Sequence, residues 1–234
     1  MPKKTTEQFI KESSEQTDSL NIRKVMKVLN VFETGKPERD YSSVFTWNDG
    51  PNGRKQLTLG VGFTQGGSLQ KVIEKYISYG GKNASYFSKF NFNDLSLAYN
   101  KDLIARIKSS GEEPEMIRAQ DEVYREKYWI PAKKFFDDNG FTEPLSMLVI
   151  ADSTLHSGSI PSWLRKRFKE KPPAAGGDER NWITEYVKVR HDWLWSKGGL
   201  LRNTVYRTNC FKEQIKKDNW NLEQPINANG IIVS

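Results

Sequence analysis

The segment Leu145–Leu155 (Leu-Ser-Met-Leu-Val-Ile-Ala-Asp-Ser-Thr-Leu) has almost no polar face. A helix that is apolar on nearly all sides is stable only when other elements cover it all round. The segment is therefore expected to be the central buried helix of a lobe built largely from helices. With 234 residues, the chain has room for one large domain or two small lobes around a sizeable core. Only 36% of residues belong to the strict apolar set, but seven Trp, nine Tyr and twelve Phe can fill much of that core. Charged residues of both signs are well mixed along the chain, which argues against general disorder. No run approaches the ~18 apolar residues of a membrane span, so an integral membrane protein is not expected.

Around the central segment the pattern is mostly helical. Ile22, Val25, Met26, Leu29 and Phe32 recur at helical spacing behind the capping oxygens of Thr17-Asp18-Ser19. That helix should stop near Glu33-Thr34-Gly35, since Pro37 forbids its continuation. Residues 1–16 are polar and expected to form a flexible arm. From Ser43 to Thr64 the pattern changes. Val44-Phe45-Thr46-Trp47 is β-prone, Asn48-Asp49-Gly50-Pro51-Asn52-Gly53 is a strong turn signal, and Leu57–Phe63 reads as the return strand. One hairpin is expected, with room for a third short strand.

Everything after Gly66 reads as helical. The expected helices are Leu69–Tyr76, Leu95–Ile107, a longer one from Met116 to Ile130, the central segment, Trp163–Phe168, Trp182–Trp195 and Thr204–Ile215, with Lys171–Gly177 as the clearest loop. The fold class is α+β, mainly α. A small lobe of about residues 34–110 and a large lobe of about 112–234 plus the first helix are expected, divided near residues 109–115.

Composition narrows the chemistry. The one cysteine, Cys210, excludes an intrachain disulfide, and the two histidines, His156 and His191, do not sit at metal-binding spacings. No metal centre is expected, and nothing calls for a cofactor. There is no GxSxG elbow around Ser157, and Gly60-Val61-Gly62 lacks the residues of a phosphate-binding loop. The basic run Arg165–Lys171 reads as a solvated face. The net charge of +7 suits a polyanionic partner, although such a surplus also serves solubility.

Two carboxylates stand out. Glu33 closes an apolar-faced helix, where the negative end of the helix dipole and desolvation by Phe32 and hairpin apolars would raise its pKa, as a general acid requires. Asp49 sits in the hairpin turn and could serve as partner, although Asp-Gly is also a favoured turn pair in its own right. Two such groups are the minimal apparatus of glycoside hydrolysis.

Val31-Phe32-Glu33-Thr34-Gly35, then a strand, a Gly-rich turn with Arg54, and Leu57-Thr58-Leu59-Gly60-Val61-Gly62-Phe63-Thr64 together resemble the lysozyme-like superfamily. Within it, Gly50–Gly66 is similar to the chitosanases of glycoside hydrolase family 46. Asp152–Gly158, Pro173–Glu179 followed by Tyr186 and Arg190, and Asn219–Leu222 with Pro225 resemble the same family, so the likeness spans roughly residues 20–234 and is weakest over 80–120. It implies a lysozyme-like two-lobed fold with a cleft between the lobes. It also implies Glu33 as general acid, Thr58 as the threonine that helps position the attacking water, and Arg54 as a sugar contact. Asp152 and Arg190 match the family's supporting charged network, and Asn52, Asp40 and His156 are further candidate substrate contacts. Aligned without a gap from Gly60, Asn52 stands where the family has its second aspartate, which leaves Asp49 as the candidate base and Asp40 as a more distant one.

The implied reaction is inverting, endo-acting cleavage of β-1,4 links in chitosan-type polymer, with the two carboxyls about 6.5–9.5 Å apart. A cell-wall muramidase and a binding relative without a working base are the alternatives. The expected partner is a polysaccharide rather than nucleic acid, and the chain is expected to act as a monomer. Action outside the cell or on its wall is expected, although Met1–Glu7 turns polar where a secretory leader turns apolar, which leaves the export route open.

Overall fold

The computed structural model describes residues 21–234. The expected arm over residues 1–16 and the Thr17-Asp18-Ser19 cap lie outside the described residues. In order, the elements are α1 (Ile22–Thr34), β1 (Val44–Trp47), β2 (Gln56–Leu59), β3 (Phe63–Thr64), α2 (Leu69–Ser78), α3 (Ala84–Phe87), α4 (Lys101–Ser110), α5 (Pro114–Tyr124), α6 (Ile130–Asp138), α7 (Pro144–Ser157), α8 (Ser162–Arg165), α9 (Glu179–Lys197), α10 (Gly199–Arg202), α11 (Val205–Lys216), β4 (Ile226–Ala228) and β5 (Ile231–Val233). They group into two compact units, one of Glu38–Arg125 and one of residues 21–37 with Glu126–Ser234. The break falls at Arg125 rather than at 109–115, because α5 packs on α2 and so stays with the first unit.

In the first unit, β1, β2 and β3 form an antiparallel sheet in that order, with Phe45 opposite Thr58 and Thr58 opposite Thr64. Alternation sends Leu57 and Leu59 into the core and leaves Phe45 and Trp47 exposed. The tip of the hairpin is Asn52-Gly53, both in the left-handed region (φ 59° and 70°), with the Arg54 N–H donating to Pro51 O. This is the Asn-Gly turn chemistry that suits a two-stranded twist. The return strand stops at Leu59, short of the expected Phe63. Gly60 and Gly62 take φ values of 53° and 80° and reverse the chain into β3. A side chain at Gly60 would also collide with Gln120 of α5, whose amide donates to Tyr41 O.

The single helix expected over Leu95–Ile107 is two elements. Leu95–Tyr99 forms a short 3₁₀ turn capped by Asp94, and α4 starts afresh behind Asn100, whose side chain accepts from the Leu103 N–H at 3.0 Å. Each cap satisfies backbone donors that a continuous helix would have bonded internally.

In the second unit α7 is central, as its sequence requires. Pro144 through Thr154 are buried, and α1, α6, α9 and α11 all pack on it. Trp182 stacks on Tyr186 at 5.5 Å, and Phe168 and Phe141 pack edge-on to Trp182. The long helix expected from Met116 to Ile130 is interrupted by a π turn at Arg125–Trp129, after which Pro131 opens α6. Of Trp163–Phe168 only the single turn α8 is helical.

The purely helical reading after Gly66 also fails at the C-terminus. There β4 and β5 pair through a two-residue Asn229-Gly230 turn (φ 51° and 91°), with β4 lying against α1 and α11. Strands of three residues are too short for a period-two pattern to register, and the Asn-Gly pair is the signal that marks them.

Candidate active site

Glu33 is the last but one residue of α1. The helix closes on Gly35, whose φ of 74° lets its N–H return to Val31 O at 2.9 Å. Val25, Val28, Leu29 and Phe32 bury the inner face of α1, and this fixes which way its C-terminal turn faces.

The side chain of Glu33 is 15% exposed. Its Oε1 accepts from Arg207 Nη2 at 2.6 Å, and Oε2 has no hydrogen-bond partner among the described residues. Arg207 Nη2 also donates to Phe32 O at 3.2 Å, and the Tyr206 hydroxyl donates to the same carbonyl at 2.8 Å. One guanidinium thus meets both the carboxylate and a terminal carbonyl of α1, where the helix dipole favours a cation.

Arg207 is itself held from behind. Its Nη1 donates to Asp152 Oδ1 at 2.7 Å, and Arg190 Nη1 donates to Asp152 Oδ2 at 2.7 Å. Asp152 is completely buried on α7, and its two oxygens are shared between two buried guanidiniums. Burial alone would raise the Asp152 pKa, but Arg190 and Arg207 outweigh it and hold the carboxyl below the usual range. Arg207 is desolvated too, yet Glu33 and Asp152 push its pKa well above the usual arginine value. When Glu33 is ionised, the row Glu33, Arg207, Asp152, Arg190 alternates in sign and sums to zero, which is the form in which buried charges are tolerated.

One turn further along α7, burial first and then Arg207 and Arg190 lower the His156 pKa to about 4, so its imidazole is neutral at ordinary pH. Cys210, also buried, has its thiol pushed up to about 12, which removes it as a nucleophile.

The sequence reading placed Asp152 and Arg190 together, and they are. It missed Arg207. The signal was present on α11, where Arg207, Phe211 and Gln214 fall at helical spacing on one buried face beside Cys210. An arginine inside an apolar stripe needs a buried partner.

The remaining candidates belong to the first unit. Thr58 lies half-buried in the central strand β2, between Phe45 and Thr64. Asp49 is exposed on the arm leading into the turn, and Asn52 and Arg54 are exposed at its tip. Asn52 occupies a left-handed position that asparagine tolerates better than most residues, so turn geometry by itself accounts for it. Arg54 lies near enough to help stabilise the carboxylate of Asp94. Asp40, ahead of β1, uses Oδ1 to accept from the Ser42 N–H at 3.2 Å. The hairpin therefore gathers Asp49, Asn52, Arg54 and Thr58, with Asp40 at its approach. Among the described residues no cluster of His, Cys, Asp and Glu could hold a metal ion, and no helix is long and apolar enough to cross a membrane.

Comparison with known proteins bears directly on this arrangement. The sequence profile of glycosyl hydrolase family 46 matches residues 27–226. A chitosanase of Bacillus subtilis (strain 168) is 27% identical over 229 residues, covering 88% of this chain and 80% of its own length. Among solved structures, a mutant chitosanase from Bacillus subtilis MY002 complexed with 6 GlcN superposes with a TM-score of 0.79 at 24% identity, covering 93% of this chain and 99% of that one. A family 46 chitosanase of Gynuella sunshinyii in complex with chitotetraose does so with a TM-score of 0.77 at 21% identity, over 92% and 97% of the two chains. The architecture is that of the lysozyme-like fold. A profile match over most of the chain, joined to a helix-end glutamate backed by an arginine–aspartate–arginine row, makes this chain a glycoside hydrolase that belongs to glycosyl hydrolase family 46.

Proposed function

We propose that this enzyme hydrolyses β-1,4 links within chitosan-type amino-sugar polymers, with inversion at the anomeric carbon. Family membership, a curated relative named as a chitosanase and solved relatives holding 6 GlcN or chitotetraose support the substrate class. The observation that carries the mechanism is the one-sided anchoring of Glu33. Oε1 is tied to Arg207 and Oε2 is left for chemistry.

In this reading the proton resides on Oε2 and passes to the glycosidic oxygen as the C1–O bond breaks. Negative charge then develops on Glu33 beside a guanidinium already in place at 2.6 Å, so the charge is stabilised without reorganisation. Asp152 holds Arg207 in that position, and Arg190 holds Asp152. On the other face of the sugar, water attacks C1 and gives its proton to Asp49, with Thr58 fixing the water's orientation. Arg54, Asn52, Asp40 and His156 are assigned to substrate contacts.

An anionic cell-wall glycan is the second reading. Charge favours it, because residues 21–37 and 126–234 carry 21 Lys and Arg against 14 Asp and Glu, whereas 38–125 are nearly balanced at 12 against 11. Incubation with chitosan and with purified peptidoglycan, followed by mass spectrometry and proton NMR of the first products, decides between them. Shortened glucosamine oligomers born as the α-anomer are expected. Products from peptidoglycan alone would select the second reading, and a β-anomer would contradict inversion.

A further inference from the structure

A pocket of about 480 Å³ opens beyond the C-terminal end of α7, within the second unit. Its walls include His156, Ser157, Ser159, Ser162, Trp163 and Trp193. The two indoles meet edge to face with centroids 5.0 Å apart, and Trp163 is 43% exposed. Hydroxyls, an imidazole and indoles in a pocket of this size are the lining expected for a sugar.

Its charge is unusual for an enzyme acting on a cationic polymer. Among the described residues, no Asp, Glu, Lys or Arg lines the pocket. The charges nearby are mostly positive: the Arg167 guanidinium lies over Trp163 at 5.2 Å, and Arg190 and Arg207 act on His156. Asp152 acts on His156 with the opposite sign. A glucosammonium unit would enter without a carboxylate in that lining to meet its charge. A neutral acetamido sugar would meet indole faces for its methyl group, and hydroxyls and an uncharged imidazole for its amide.

We propose that this pocket binds an N-acetylglucosamine unit of partially acetylated chitosan and so gives the enzyme a preference among acetylation patterns. The proposal rests on the chitosan reading above and adds to it a subsite for the uncharged sugar.

Calorimetry on the Glu33→Gln protein, which should bind without cutting, tests it with two probes, the tetramer of N-acetylglucosamine and the tetramer of glucosamine. Adding Trp163→Ala should weaken the acetylated tetramer about tenfold, the loss of one good stacking contact, and leave the glucosamine tetramer within about twofold. Equal loss for both probes, or loss for neither, overturns the proposal. Leu201, also in the lining and 37% exposed, provides a variant with little risk to folding. Leu201→Glu places a carboxylate in the pocket and should shift preference toward the glucosamine tetramer. An unchanged preference overturns the proposal even if Trp163→Ala does not fold. Failure of the unaltered enzyme to cut chitosan would sink the proposed function instead, and is read in a separate assay.

Discussion

Glu33 and Asp49 are both carboxylates at the ends of secondary-structure elements, but they are held in opposite ways. Glu33 is mostly buried, tied to Arg207, and backed through Asp152 by Arg190, all on helices packed around α7. Asp49 stands exposed on a turn, on the arm of a hairpin whose tip is set by Asn52-Gly53. The contrast matches the roles proposed for the two groups. A proton donor must hold one geometry and have its developing charge met by a fixed partner, and this calls for a rigid, desolvated setting. A group that activates water needs access to water, which a buried network would deny.

Stability should divide along the same line. Asp152→Ala leaves two buried guanidiniums without their anion and is expected to cost about 3–5 kcal/mol in denaturant unfolding, while Asp49→Asn in the same titration should move by no more than about 0.5 kcal/mol. Similar values for the two would erase the distinction.

Acid titration sharpens it. The His156 pKa is about 4 in the folded state against an ordinary 6.5. Between those values the unfolded chain binds a proton that the folded chain refuses, so stability falls as the pH falls, by something on the order of 3 kcal/mol. Asp152 acts lower down. Its contribution is complete above the ordinary 3.8 and is lost only as the pH drops through its depressed folded value. His156→Asn should therefore flatten the stability curve between pH 6.5 and 4 relative to the parent. Parallel curves would show that His156 is not held neutral by its surroundings.

The legible parts of this fold were those where one residue type decides the outcome. The all-apolar α7, Gly35 and Pro37 closing α1, and the Asn-Gly pair within the hairpin turn all behave as their chemistry dictates. The errors came where neighbours decide. Gly60 and Gly62 read as strand residues, but both take positive φ values that turn the chain, and Gln120 of α5 fills the space beside Gly60. Asn100 restarts a helix that apolar spacing alone would run through. At the site, Glu33, Asp152 and Arg190 could be read from the sequence, whereas the helix-end dipole and apolar shell expected around Glu33 omitted its nearest partner. Arg207 lies 174 positions away, and only packing of α11 against α1 brings the two together.

The central claim is that Glu33 delivers the proton, and the turnover of Glu33→Gln on chitosan tests it most directly. Turnover should drop about 10²–10⁴-fold while glucosamine-tetramer affinity and unfolding midpoint stay near those of the parent. Asp49→Asn should drop as well, and by more than Asp40→Asn. A Glu33→Gln enzyme that keeps more than about a tenth of parental turnover would contradict the account, because a general acid cannot be removed at so small a cost.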